Sequence, residues 1–449
     1  MKAPAGWAIA SLGELCFRIV DGSHNPPQAV AEGVYMLSAR NISNRRINFE
    51  EYRFISNSDF AVENERTKIQ AGNVLLTIVG AIGRIAVVPD GIKPFALQRS
   101  VAVLKPNGAA LPKYLAYAIE APEIQQFLRD NAKGTAQKGI YLKALGRLQL
   151  PLAPFPEQQR LANKLDSIVE SIDTCRARLD RVPQILKKFR EAVLEAAVSG
   201  RLTENWRQHS ASASAEWVSS TFEDITESSL YGPRFSSADY IEDGVPTLRT
   251  TDMDSYGRIV PKSPPKVRIS TANMERLGLR DGDLVMTRTG ATIGKCAVYD
   301  ASLGPALPSA YLIRFRLRQE RVVPRFALLF ILSPFGQRLL FTGSTSFAQP
   351  NINAKTIRQF SITLPGLTEQ SEIVRRVDAL LGVGDTLERR FEATVERIVK
   401  IVPSVLAKAF RGELVPQDPK DEPAGEMLDR IEVAKNVSRN TKESAGTQK

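Results

Sequence analysis

Histidine and cysteine are scarce in this chain: two histidines, His24 and His209, and three cysteines, Cys16, Cys175 and Cys296, in 449 residues. Two histidines give metal-hydrolase or triad chemistry little to work with. Three cysteines, odd in number and far apart, argue against a disulfide framework or a zinc site, and they fit a reducing cytoplasm. Long apolar runs are missing too. No stretch reaches the ~18 apolar residues of a membrane span. The opening residues, Met-Lys-Ala-Pro-Ala-Gly-Trp7, lack the apolar core of a secretory signal. Overall the chain is 43% hydrophobic and 24% charged, in the range of a globular protein of two or three domains.

Nucleotide and methyl-transfer motifs are present only in incomplete form. Asn25-Pro26-Pro27-Gln28 comes near the Asn-Pro-Pro-aromatic string of adenine amino-methyltransferases, whose aromatic ring stacks on a flipped base. Here Gln28 stands in the aromatic position, and no glycine-rich cofactor loop after a strand accompanies it. The string reads as a polar turn. Gly290-Ala-Thr-Ile-Gly294-Lys295-Cys296 comes near a phosphate loop. A true one has four residues between the glycines and Ser or Thr after the lysine. Here there are three, then Cys296, so a strand turn presenting a cation is the expectation. Asp281-Gly-Asp283 reads as a turn rather than a metal site. No catalytic residue and no metal ligand is assigned.

What the chain does have is a repeat. From Glu157-Gln158 to Gly200, apolar residues fall at alternating steps of four and three: Leu161, Leu165, Ile168, Ile172, Cys175, Leu179, Val182, Leu186, Phe189, Val193 and Ala197. That is a heptad seam. Unbroken, at ~1.5 Å per residue, it would be a rod of roughly 65 Å. The same rod recurs 212 residues later, from Glu369-Gln370 to Gly412. Its seam runs through Ile373, Val377, Leu380, Leu387, Phe391, Ile398, Ile401 and Val405. The economical partner for each stripe is its own copy. Pro183 and Pro403 interrupt the rods at unmatched positions, so each is expected to bend or divide at a different height.

Ahead of each rod lies a related globular stretch. Trp7-Ala-Ile-Ala-Ser-Leu answers to Trp217-Val-Ser-Ser-Thr-Phe. Ala71-Gly-Asn-Val-Leu-Leu-Thr-Ile-Val-Gly-Ala-Ile-Gly83-Arg84 answers to Asp281-Gly-Asp-Leu-Val-Met-Thr-Arg288-Thr-Gly-Ala-Thr-Ile-Gly294-Lys295, each a strand, a tight turn and a strand. A helix is expected over 112–130 and over 324–341. A polar loop then precedes each rod, with Gln137, Lys138, Ile140 and Lys143 in one copy and Gln349, Asn351, Ile352, Asn353 and Lys355 in the other. Residues 204–216 read as a small polar connector. The tail from 416 carries one short helical pattern, Met427-Leu428-Ile431-Val433, before a disordered end.

Net charge is +11, and its placement matters more than its size. Residues 157–200 and 369–412 each carry eight Lys/Arg and seven Asp/Glu; 413–449 carries six and eight. These segments cancel, so the whole excess lies in 1–156 and 201–368. Basic globular parts on a neutral helical frame point to a polyanion held by those parts. Candidate DNA contacts are Arg84, Gln98, Arg99, Gln137, Lys138 and Lys143 in the first copy. In the second they are Arg288, Lys295, Gln349, Asn351, Asn353 and Lys355. Glutamine and asparagine pair with adenine edges, and lysine suits phosphate.

The layout resembles the specificity (S, HsdS) subunit of type I restriction–modification enzymes, most closely the K-type subfamily. The residues carrying the resemblance are Pro-Phe-Pro-Glu157-Gln158, Leu165-Asp166, Pro183-Gln-Ile-Leu-Lys-Lys-Phe-Arg190 and Ser199-Gly-Arg-Leu-Thr-Glu-Asn-Trp206. In the second half they are Glu369-Gln370, Ile373-Val-Arg-Arg-Val377 and Ile-Val-Pro403 through Leu414. The resemblance implies an α+β fold: two pseudo-repeated mixed α/β target recognition domains (1–156 and 217–368) joined by two long antiparallel helices (157–203 and 369–415) forming a coiled-coil spacer. Linker 204–216 and polar tail 416–449 complete it. It further implies that the chain binds double-stranded DNA at a bipartite, asymmetric site and is no enzyme itself. Two modification subunits would bind S-adenosylmethionine and methylate adenine N6. Two restriction subunits would use ATP and Mg. A self-sufficient methyltransferase–nuclease, a specificity subunit recruited to another methylation or defence system, and a non-DNA coiled-coil adaptor are the rivals. The first lacks its catalytic motifs, and the last leaves the confined charge unexplained.

Overall fold

The computed structural model describes residues 4–134, 138–210, 216–344 and 351–434. The chain divides into two compact units, Met1–Leu179 with Ala393–Lys449, and Asp180–Glu392. These units group the chain differently from the segmentation at 156 and 368. Each globular part is joined in its unit by the near end of one rod and a stretch of the other.

In the first unit a four-stranded antiparallel sheet runs Cys16–Asp21, Val101–Pro106, Val74–Thr77, Ile85–Val87. A smaller sheet runs Arg53–Ile55, Val34–Leu37, Phe95–Leu97. Ala8–Ser11 pairs with Gln149–Leu152. The second unit repeats these three sheets in the same order: Thr226–Tyr231, Leu312–Leu317, Leu284–Thr287, Cys296–Val298, then Lys266–Val267, Tyr240–Leu248, Leu307–Pro308, and the pair Val218–Thr221 with Ser361–Leu364. Continuous apolar strands follow from burial on both faces. Side chains alternate across a sheet, so Val74 and Leu76 enter one core while Leu75 enters another. Their counterparts Leu284 and Met286, against Val285, do the same.

Each helix expected as one piece is two. Residues 112–130 form Pro112–Glu120 and Pro122–Asp130, and 324–341 becomes Pro324–Leu332 and Pro334–Thr342. The residue before a proline is pushed out of the helical region. Ala121 and Ser333 accordingly take extended ψ angles of 141° and 155°, and Pro122 and Pro334 open the next helix.

The rods also part from expectation. The central one is not continuous over 157–203. It comprises Phe155–Leu179 and Val182–Val198, with Pro183 in the first turn of the second helix, where its missing N–H costs nothing. The C-terminal one is a single 43-residue helix, Leu367–Ala409, with Pro403 inside. In the first unit Leu161 and Leu165 share a core with Leu406, Ala409 and Phe410. In the second, Arg190 bonds Asp385 and Glu388 while Arg376 donates to the Leu202 carbonyl at 3.0 Å, so these two segments run antiparallel. Of the seam, Leu161, Leu165, Ile172, Leu186, Ile373 and Val377 are buried, and Ile168, Leu179, Phe189, Leu380, Phe391, Ile398 and Val405 are half-buried. Leu387 and Ile401 depart from it at 47% and 39% exposure, as does the exposed Cys175. At the height of Leu387 the contact face is carried by Gly384, Asp385 and Glu388, and Leu387 lies about a quarter turn or more away from it.

The connector and tail are more structured than their composition suggests. Glu204–His209 is helical, and Arg207 ion-pairs with Glu369. Residues 424–434 are helical. Met427 and Ala424 are buried in the first core, the Ala424 amide donates to the Gly6 carbonyl at 2.9 Å, and Asp421 pairs with Arg160 at 2.6 Å. The expected disordered end lies outside the described residues.

Candidate nucleic-acid interface

The Glu-Gln pair that opens each rod seats the globular part on it. Gln158, fully buried, accepts from the Leu111 amide and donates to the carbonyls of Ala109 and Ala153, all at 2.9 Å. Gln370 accepts from the Val323 amide (2.7 Å) and donates to Arg321 (3.1 Å) and Pro365 (2.8 Å). Every partner is displaced by 212 residues. Trp7 donates its indole N–H to Glu157 at 3.0 Å, and Trp217 donates to Glu369 at 3.3 Å. Lys113–Asp166 (2.6 Å) is answered by Arg325–Asp378 (2.9 Å). Burial raises the Glu157 carboxyl above its ordinary value.

On this seat, two stretches singled out by sequence are hydrogen-bonded together in each unit. The Gly80 amide donates to the Lys138 carbonyl (3.0 Å) and the Ile140 amide to the Ile78 carbonyl (2.9 Å). In the copy, the Ile352 amide donates to the Arg288 carbonyl at 2.9 Å. The glycine turn and the loop before the rod therefore form one surface. In the first unit Arg84, Arg99, Lys138 and Lys143 are exposed on it, and none makes an ion pair among the described residues. Gln137 and Gln349 lie outside the described residues.

A brace beneath the turn escaped the sequence reading. Gln125 donates to the carbonyls of Gly83 (3.1 Å) and Ile119 (2.8 Å), and Gln337 to those of Gly294 (3.2 Å) and Ile331 (2.9 Å). Gly83 and Gly294 take φ of +90° and +87°, the left-handed region that favours glycine. A β-carbon there would also meet the glutamine oxygens at 2.3 and 2.7 Å. The recurrence of Gln125 and Gln337 at 212 residues was the signal available.

The first unit opens beside this surface into a cleft of about 700 Å³ lined by Arg40, Tyr52, Arg53, Arg84 and Gln98, among others. Arg40 pairs with Glu51 at 3.3 Å. Arg40 and Arg53 were not among the sequence candidates; the alternating Tyr52-Arg53-Phe54 pattern marks only a strand.

In the second unit several candidates are engaged internally. Arg288 stacks over the Tyr231 ring at 4.8 Å. Lys295 donates to the Met253 carbonyl at 3.3 Å and lines a pocket with Lys187 of the rod. Asn353 caps the helix Ala354–Arg358, its side-chain oxygen accepting from the Thr356 amide at 2.8 Å. Lys355 and Asn351 are exposed.

Two copies of one globular part, each seated on a helical frame by an equivalent glutamine and together carrying the chain's excess positive charge, point to a two-part nucleic-acid recognition chain. Residues 4–184 and 214–397 match the family described as "Type I restriction modification DNA specificity domain", and the chain belongs to it. It is 28% identical to the type I restriction enzyme EcoKI specificity subunit of Escherichia coli K12, with 99% of this chain and 98% of that one aligned. It is 30% identical to the EcoBI specificity subunit of Escherichia coli over 75% and 72% of the two chains. Among solved structures, the fold is similar to a chain from "Structural basis underlying complex assembly and conformational transition of the type I R-M system" (TM-score 0.69, 18% identity, 92% of this chain and 100% of that one). It is also similar to the HsdS subunit of Thermoanaerobacter tengcongensis (TM-score 0.56, 18% identity, 92% and 99%). The function is that of a DNA sequence-specificity subunit of a type I restriction–modification system, a recognition subunit rather than the catalyst. Among the described residues no helix is long and apolar enough to cross a membrane.

Proposed function

We propose that this chain binds double-stranded DNA at a bipartite, asymmetric site, each globular part reading one half. It positions modification subunits that bind S-adenosylmethionine and methylate adenine N6, and restriction subunits that use ATP and Mg, two of each. Reaching an adenine in a duplex requires base flipping and a catalytic pocket, so a partner supplies the chemistry. Arg84, Arg99, Lys138, Lys143 and Lys355 are assigned to phosphate, and Gln98 to a base edge.

The observation that supports this reading is the repeat of the turn-and-loop surface in both units with different side chains on it. The same scaffold carries Gln98-Arg99-Ser100 in one copy and Ser309-Ala310-Tyr311 in the other. Equivalent docking with unlike side chains gives two half-sites of unlike sequence.

The test is a genome-wide map of N6-methyladenine in the native strain and in a deletion of this gene. Loss of one bipartite motif in the deletion is the expected result. If none disappears while the modification partner is expressed, the adaptor reading and the reading as a subunit of another methylation or defence system take its place.

A further inference from the structure

We propose that Arg53 reads a guanine in the half-site of the first unit, through the open cleft it lines. The inference rests on the proposed function and adds a base and a residue to it.

Arg53 opens the strand Arg53–Ile55 and pairs in register with Met36. It is half-buried, and its Nη2 donates to the Met36 sulfur at 3.4 Å. The guanidinium Nε is buried and has no hydrogen-bond partner among the described residues. Arg53 also makes no ion pair among them: the nearby carboxylate of Glu51 is taken by Arg40. Nε, without accessible surface, is out of a ligand's reach; what Arg53 offers the cleft it lines is the rest of its guanidinium.

The cleft distinguishes base from phosphate. Arg84, Arg99, Lys138 and Lys143 are exposed, which suits phosphates on the outside of a duplex. Arg53 is recessed and held by its strand and by Met36. Tyr52 packs edge-to-face against Tyr35, ring centroids 4.8 Å apart, in the same wall. A desolvated, pre-positioned fork matches the two acceptors O6 and N7 of guanine.

The second unit does not repeat this device. In register, Met36 answers to Thr247 and Arg53 to Pro265, whose carbonyl accepts from the Thr247 amide at 2.8 Å, so no guanidinium stands at that place. Arg40 falls within a capped turn whose copy carries Thr251, and Arg249 of that turn is folded back on Asp252 at 3.1 Å. The guanine reading thus belongs to one half-site.

The test uses the full-length chain with its modification partner. Wild-type complex is first used to fix the motif. Arg53→Lys and Arg53→Ala complexes are then compared with it on duplexes that each carry one altered base pair, by methylation rate and by binding. The expected result is a loss of discrimination, on the order of ten- to a hundredfold, at a single guanine of one half-site. Discrimination in the other half stays unchanged and serves as the folding control. Arg53→Lys keeps stem and charge but lacks the fork, so it decides the matter if Arg53→Ala does not fold. Uniform weakening across all duplexes would make Arg53 a phosphate contact and overturn the proposal. So would an unaltered pattern, or a wild-type half-site with no guanine requirement. Absence of any sequence-dependent methylation by wild type would instead sink the specificity reading itself.

Discussion

At the residue scale, the two rod-opening glutamines do structural work that their polarity disguises. Gln158 and Gln370 are fully buried, and each satisfies one amide and two carbonyls of the backbone. Gln158→Leu would strand those groups away from water, at a cost of about 3 kcal/mol. Denaturant unfolding should show that loss, while the motif methylated by surviving complex stays the same; a changed motif would mean Gln158 acts in recognition. Glu372 gives a pH signature. Hydrogen bonds from Arg375 and then Arg376 hold its carboxyl down to about 2, against an ordinary 4.5. A carboxyl whose pKa is lower folded than unfolded adds stability above the unfolded value and loses it as pH falls through the folded one. Stability should therefore decline between pH 4.5 and about 2, and Glu372→Gln should flatten that share of the acid limb. The group lies near the surface, so the share is under ~1 kcal/mol. An identical acid limb in the variant would show that the pair contributes nothing.

At the element scale, the prolines separate what was legible in sequence from what was not. That both rods would be disturbed follows from Pro183 and Pro403, but a proline does not say whether its helix restarts or tolerates it. Pro183 lies in the first turn of Val182–Val198, whereas Pro403 lies inside Leu367–Ala409 and is exposed. An interior proline forfeits a hydrogen bond and crowds the preceding turn, at a cost of up to ~3 kcal/mol. Pro403→Ala should therefore raise the melting temperature and Pro183→Ala leave it nearly unchanged. Equal shifts would mean that the break before Val182 has another cause. The breaks at Pro122 and Pro334 are hidden from periodicity, because the apolar pattern continues across them and a one-residue break leaves its spacing intact. The repeat and the strand–turn–strand pairs were legible because each rests on local spacing that recurs at a fixed offset. The recessed Arg53 and the bracing Gln125 were not, because their meaning depends on residues remote in sequence, Met36 in one case and Gly83 in the other.

At the scale of the whole molecule, the seat between globular part and rod explains how one half could change without the other. Gln158 bonds only to main-chain groups of the first globular part: the Ala109 and Ala153 carbonyls and the Leu111 amide. Any domain with the same backbone path presents those groups whatever its side chains, so the seat does not constrain the residues that face DNA. The side-chain contacts are more demanding: Trp7 with Glu157, Lys113 and Tyr117 with Asp166, and Tyr114 against Phe410 at 5.4 Å. Replacing residues 1–150 by the corresponding part of another family member, with Trp7, Lys113, Tyr114 and Tyr117 retained, should therefore yield a complex that folds and methylates. Its motif should differ from the parent in one half only, because the second unit keeps its own core, its own turn-and-loop surface and the Gln370 seat. The map of N6-methyladenine reads this directly. A motif altered in both halves would mean that the units do not recognise DNA independently, and the one-unit, one-half assignment would fall with it.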